Sequence, residues 1–470
     1  MPLRCRFYCL IIFTIIFVST TSAQTISWAQ QKRDLEFLSD AIKNAHPTNE
    51  KDKLNCLHLI DSISAIIPDS INIKEFHFQI KEIIAGLHCV HTSSRKSPGE
   101  LRSENKNNYF PFSVAASNDT LYLIHYYNDS SITLSQPLSV TSINNISSER
   151  LIRFMRSYMT SDGDLETTGN SYIKDYGYYF IAEYLGFPDN FSVAFKTANG
   201  ILQTLEVPAI HEAITKNDIV TSELNIIKME DARFYNFLSD SLIQILDIDG
   251  FADHKYKKFY SGIFEFIAKT EINTLVIDLR DNLGGNRDNA TELLGYFLPK
   301  EQYYQLIKES GAAKPYADKK ILFLQFLKFN IGSFYRAKYN DGIATFTYRI
   351  KPAKIQFKGN VYVLVNGKSA SASGYVAAYL QFYTDAIIIG EETAGGFYGN
   401  NGGSYTSVTL PESQIKIRFP VFRFKHDFAP ENRSGGIIPS VIIDHDPIDI
   451  FNGTDDEMIY LKGRSGGKSH

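Results

Sequence analysis

Three short and mostly apolar runs, LVIDLR (Leu275–Arg280), VYVLVN (Val361–Asn366) and AIIIG (Ala386–Gly390), constrain this chain more than any other feature. A strand that is apolar on both sides needs a sheet covered on both faces, the usual condition of parallel strands in an α/β core. The stretches between them, TELLGYFL and AAYLQFY, place apolar residues at helical spacing. Strands crossing over to helices are therefore expected from about Asn225 onward.

The texture upstream differs. From Ile26 to His91 apolar residues recur at threes and fours, as in Leu35, Leu38 and Ile42 and again in Phe76, Ile80, Ile83, Ile84 and Leu87, which reads as helices. From Tyr109 to Ile210 short alternating stretches such as TLYLIHYY and NFSVAFKTA are broken by Asn, Asp, Ser and Gly, with one helical piece near Glu149 to Tyr158. That pattern reads as a mixed, mainly β unit. The expected division is a helical subdomain at 24–108, a mixed β module at 109–218, an α/β core at 219–462 and a flexible tail at 463–470. The aromatic, Lys-rich stretch Tyr303–Ile355 fits a lid or an oligomer contact equally, and the sequence fixes no oligomeric state.

Residues 1–23 read as an address. Arg4 and Arg6 precede the apolar run LIIFTIIFV, and Thr21 and Ala23 stand at the small-residue positions of a cleavage site. A nine-residue run falls short of the roughly 20 apolar residues that span a bilayer, so an exported, periplasmic or secreted product without a stable membrane span is expected. Removal of that segment takes Cys5 and Cys9 with it; Cys56 and Cys89 remain, and whether they pair stays open. Lys plus Arg at 48 against Asp plus Glu at 52, with no basic stripe, gives no surface for nucleic acid. His88 and His91 flank Cys89 but lack an HExxH or CxxC partner pattern, so neither a metal nor another cofactor is expected.

The candidate chemistry lies in turns that follow the buried strands. After VYVLVN comes GKSASASGYVAAYL, with Ser369, Ser371 and Ser373 at the passage from strand to helix. A serine there stands beside unpaired backbone N–H groups and the positive end of a helix dipole, which suits a nucleophile, although serines often merely cap helices. After LVIDLR come Gly284 and Gly285, where missing side chains would let backbone amides approach a substrate carbonyl. His91, in AGLHCVHTSS, ends a helical pattern where the chain turns polar and is the candidate base. Glu391 and Glu392 read as a solvated turn.

In this order, a helix-end histidine, DLRxNxGG, a serine cluster opening a helix, GEETAGG and ENRSGGIIPS resemble the carboxy-terminal processing (tail-specific) peptidases and the tricorn protease core. The resemblance is good over about 225–445. It implies an α/β (α+β) fold: a crotonase- or Clp-protease-like spiral of ββα units, with the N-terminal helical subdomain and a PDZ-like module at 109–218. LSVTSINNISSERLI (Leu138–Ile152) is similar to the strand, turn and helix of such modules.

The family has two catalytic branches. The tail-specific branch uses a lysine 25 residues beyond the serine; that position here is Gly396. The tricorn-like branch uses an N-terminal histidine and a glutamate about 60 residues beyond the serine, and His91 and Glu431 hold those places. The resemblance thus implies an exported serine endopeptidase acting on peptides or proteins, with Ser371 as nucleophile, His91 as base and Glu431 supporting it. The amides of Gly284, Gly285 and Ala372 would form the oxyanion hole. In the tricorn-like pattern a serine precedes the histidine; here Val90 does, with Thr92 the nearest hydroxyl. The alternative is a catalytically silent binding protein of this fold, similar to retinoid-binding repeats, for an apolar ligand or peptide. An α/β-hydrolase esterase is disfavoured, since GxSxG is absent around Ser371.

Overall fold

The computed structural model describes residues 25–95, 108–128, 132–197, 199–214, 227–236, 243–309, 316, 337–340, 343–430 and 435–465. The expected signal segment 1–23 and the last residues of the expected tail lie outside this set.

A seven-stranded sheet forms the centre. Its order is Ile227–Met229, Ala232–Asn236, Ile243–Ile248, Thr274–Asp278, Asn360–Val365, Ile387–Gly390 and Val441–Ile442, parallel from the third strand onward. Alternate residues of the central strands bury on opposite sides. Leu275, Ile277, Val363, Val365 and Ile388 pack with the helices Tyr256–Ile267, Arg287–Gly295 and Ala372–Tyr383. Val276, Leu364 and Ile389 face the other way, against Leu461 of the last helix. Both faces are dry, which is why these strands read as continuous apolar runs. The result is the mixed α/β architecture with several sheets expected from the strand and helix alternation.

A second sheet is antiparallel, in the order Ala337–Asn340, Ile343–Ile350, Gln302–Glu309, Lys416–His426 and Asn401–Thr409. Three N-terminal helices, Trp28–Ala45, Glu50–Ser64 and Ile73–Ala85, share a core with Val408, Leu410, Ile415, Ile417 and Phe419 of its last hairpin. The short strand Ser93–Arg95 then joins the sheet by pairing with Lys416–Arg418. This packing brings the helices and the segment after them against that hairpin. Cys56 and Cys89 are both buried free thiols, and burial pushes each thiol up to about 12, so neither forms a reactive thiolate.

The third sheet, Phe112–Ser117, Thr120–Tyr126, Leu138–Ile143, Asn190–Lys196 and Leu202–Pro208, is antiparallel throughout. Asn144 and Asn145, both at positive φ, turn the chain from Leu138–Ile143 into Ile146–Ser147 and the helix Ser148–Ser157. This module holds a second helix, the 21-residue Leu165–Leu185, where the sequence suggested only one. Its Gly169 and Gly177 and its many tyrosines lower helical propensity. Tertiary packing overrides that: a Cβ on Gly177 would lie 2.3 Å from Val114 Cγ2, so the glycine lets the helix approach the sheet.

Candidate active site

The buried strand Asn360–Val365 delivers the chain into a turn that leads directly to the helix Ala372–Tyr383. Ser371, the residue before that helix, has φ +54° and ψ −111°, a conformation L-residues rarely adopt. The surrounding turn is over-determined. Ser369 Oγ donates to Leu279 O (2.7 Å) and accepts from Asn366 N (3.0 Å), while Ser373 Oγ donates to Asn282 O (2.8 Å). Both flanking hydroxyls are buried and consumed by structure. Ser371 Oγ is left facing the histidine loop.

Two glycine turns close around it. A Cβ on Gly284 would lie 2.8 Å from Ala372 N, and one on Gly395 3.1 Å from Ser371 N. Asn282, buried within the DNLGG turn, organises the first of these. Its carbonyl accepts from Ala370 N (3.0 Å), its Oδ1 accepts from Gly284 N (2.8 Å), and its Nδ2 donates to Ile248 O (2.7 Å). The Gly284 amide therefore already has an acceptor in Asn282. Gly285 N and Ala372 N donate no hydrogen bond among the described residues.

His91 follows the helix Ile73–Ala85 by a short turn, with its flanks pinned. Val90 N donates to Asp162 Oδ1 (3.1 Å), Thr92 Oγ1 meets His46 Nε2 (2.7 Å), and Thr160 Oγ1 donates to Thr92 O (2.7 Å). Thr92 is thus engaged away from the histidine ring. His91 Nε2 stands 3.2 Å from Ser371 Oγ, across 280 residues of sequence. Burial, and then the charge of Arg418, lower His91 to about 4, with the Asn401 backbone opposing in part. The ring is a neutral base at physiological pH. Its Nδ1 is buried and without a hydrogen-bond partner among the described residues. Glu431 lies outside the described residues.

Lys368, three residues before Ser371, is no rival base. It pairs with Asp175 and, at 2.9 Å, with Asp281, and these carboxylates outweigh its burial to raise its pKa. Glu391 and Glu392 do not form the solvated turn expected. Burial raises Glu391, which accepts from Ser171 Oγ (3.3 Å), and Glu392 Oε1 accepts from Gly436 N (2.9 Å) and Asp164 N (3.2 Å). A cavity of about 110 Å³ is lined by Val90 and Ala370, the residues before His91 and Ser371, and by Thr92, Met159, Leu283 and Lys368 among others.

Two residues that organise the site carried no assignment from sequence. Asn282 was legible in principle, as the polar member of the DNLGG motif. Asp162, in the unremarkable loop SDGD, gave no signal.

A hydroxyl on a strained turn before a helix, a neutral imidazole within hydrogen-bonding reach and free backbone amides alongside define a site of the serine-hydrolase class. Residues 243–441 match the sequence model of Peptidase family S41. Over 148 residues the chain is 27% identical to the tail-specific protease of Haemophilus influenzae, a match covering 30% of this chain and 17% of that protein. The crystal structure of mature CPAF aligns with a TM-score of 0.62 at 12% identity, over 94% of this chain and 99% of that one. Mature CPAF complexed with lactacystin aligns at 0.58 and 13% identity, over 93% and 98%. At these identities the likeness to CPAF concerns the fold.

Proposed function

We propose that this chain is an exported serine endopeptidase that hydrolyses peptide bonds through an acyl-enzyme on Ser371. The observation that carries this reading is the 3.2 Å approach of His91 Nε2 to Ser371 Oγ. Neutral His91 takes the hydroxyl proton as Oγ bonds to the substrate carbonyl carbon, then passes it to the leaving amine as the C–N bond breaks. Water repeats the sequence and frees the acid. The free amides of Gly285 and Ala372 receive the oxyanion, and each such donor is worth on the order of 3 kcal/mol in barrier. The family resemblance gives Glu431 the part of supporting the His91 imidazole.

The mainly apolar cavity lined by Val90 and Ala370 suits an aliphatic substrate side chain. We assign the module at 109–218 to a PDZ-like peptide-docking role and 219–462 to the catalytic core. The signal segment 1–23 supports export; among the described residues no helix is long and apolar enough to cross a membrane.

A fluorophosphonate probe tests the reading. Wild-type protein should be labelled, whereas Ser371→Ala and His91→Ala, confirmed folded by thermal melts, should not. Labelling of the Ser371→Ala protein would refute the assignment.

A further inference from the structure

The 3.2 Å dyad distance depends on two loops that neither share a strand nor neighbour each other in sequence, the histidine loop around Val90–Thr92 and the glycine loop at Gly395–Gly396. One side chain touches both. Asp162, 5% exposed, accepts from Val90 N through Oδ1 (3.1 Å) and from Gly396 N through Oδ2 (3.3 Å), and its own N–H donates to Ala394 O (2.9 Å). Resting on the peptidase reading above, we infer that Asp162 is a positioning residue, whose two carboxylate oxygens clamp the histidine loop to the loop that supports the serine turn.

The clamp is short on both sides. Val90 is bonded to His91, so the first hydrogen bond acts one peptide from the base. Gly396 is bonded to Gly395, whose Cβ would lie 3.1 Å from Ser371 N, so the second acts one residue from the floor of the nucleophile. The segment carrying Asp162 is itself wedged in place: a Cβ on Gly163 would lie 2.3 Å from Thr393 O, and Ser161 Oγ is held by Thr168 Oγ1 (2.9 Å). A buried carboxylate without a cation is costly, and among the described residues Asp162 makes no ion pair. Amides alone satisfy it, which is the arrangement expected where the backbone must be fixed.

The protonation state should then matter. Burial, and to a lesser degree the charge of Asp52, raise Asp162 to about 8, against the pull of the two amides. The other titratable groups facing it are Cys89 and Tyr405, both themselves raised, with His88 and Arg423 on the wall of the small cavity it shares. The carboxylate offers two good acceptors; the protonated acid offers one, because its hydroxyl oxygen accepts poorly. The clamp tightens as pH rises through about 8.

The test compares wild type, Asp162→Asn and Ser371→Ala in fluorophosphonate labelling and peptide turnover from pH 6 to 9.5. Asn serves one amide and turns its NH2 toward the other. Misplacing a base by about 1 Å costs up to about 100-fold, so kcat should fall about 10- to 100-fold with KM within about two-fold. Wild type should gain rate with a midpoint near pH 8, and Asp162→Asn should not. If Asp162→Asn fails to fold, Asp162→Glu is compared in its place, and a match to wild type in labelling and turnover at every pH overturns the inference. A variant matching wild type at every pH, while Ser371→Ala is inert, overturns it and leaves the peptidase reading standing. Labelling of Ser371→Ala overturns that reading instead.

Discussion

A Cβ placed on Gly284 would lie 2.8 Å from the Cβ of Ser371, a separation that real side chains essentially never show. The turn after one parallel strand and the turn after its neighbour therefore meet as bare backbone against the proposed nucleophile. Gly284 also has φ +99°, so the position excludes a side chain on two independent grounds.

Gly284→Ala should accordingly displace Ser371 rather than merely loosen a loop. Labelling rate is expected to fall about 100-fold or more, with a stability loss of about 1–3 kcal/mol from the strained conformation. Stopped labelling assays alongside thermal melts check both. A variant that keeps wild-type labelling would show that the two turns are free to separate.

The pH profile should betray the depressed histidine. Because His91 is lowered from its ordinary 6.5 to about 4, its neutral, proton-accepting form already dominates above about pH 5. On the acid side kcat/KM should rise through about pH 4 and be nearly level between about pH 5 and 6, below the rise tied to Asp162. A rise centred near 6.5 would mean that the imidazole is solvated in the working enzyme and that the observed burial does not govern it.

Much of this site was legible because its chemistry is local in sequence at each turn. The strands around Ile277, Val363 and Ile388 announce themselves by being apolar on both faces, and the turns after them hold Ser371 and Gly284. The convergence of His91 with Ser371 is not local. It depends on helices Trp28–Ala45 and Ile73–Ala85 packing against Ile417 and Phe419, a contact that periodicity cannot express. Asp162 escaped for the same reason: an aspartate in a polar loop looks solvated until tertiary packing buries it. The helix Leu165–Leu185 was hidden by glycines that the fold needs for close approach.

The three serines of SASAS should separate cleanly by function. Ser369→Ala and Ser373→Ala each delete a buried hydroxyl that donates to a carbonyl of the neighbouring turn, Leu279 O and Asn282 O respectively. Each should lose about 1–3 kcal/mol of stability while remaining labelled by fluorophosphonate. Ser371→Ala should show the reverse, near-wild-type stability with no labelling. Denaturant titration and labelling on the same three proteins provide the comparison, and abolished labelling in a folded Ser369→Ala protein would move the nucleophile.

Gly396→Lys asks whether the lysine of the tail-specific branch could be restored. Physical space says it could not. A Cβ at 396 would lie 2.1 Å from Gly399 O and 3.3 Å from Asp162 Cβ, so the loop must move before any amine could reach Ser371. That movement would strain the hydrogen bond from Gly396 N to Asp162, and His91 already occupies the approach to Ser371 Oγ. The expected result is at least a 10-fold loss of peptide turnover, the size a displaced base produces, and no gain at any pH up to 10. A gain in turnover that survives His91→Ala in the same protein would show that a lysine can serve here, and that the histidine is one of two solutions this fold admits.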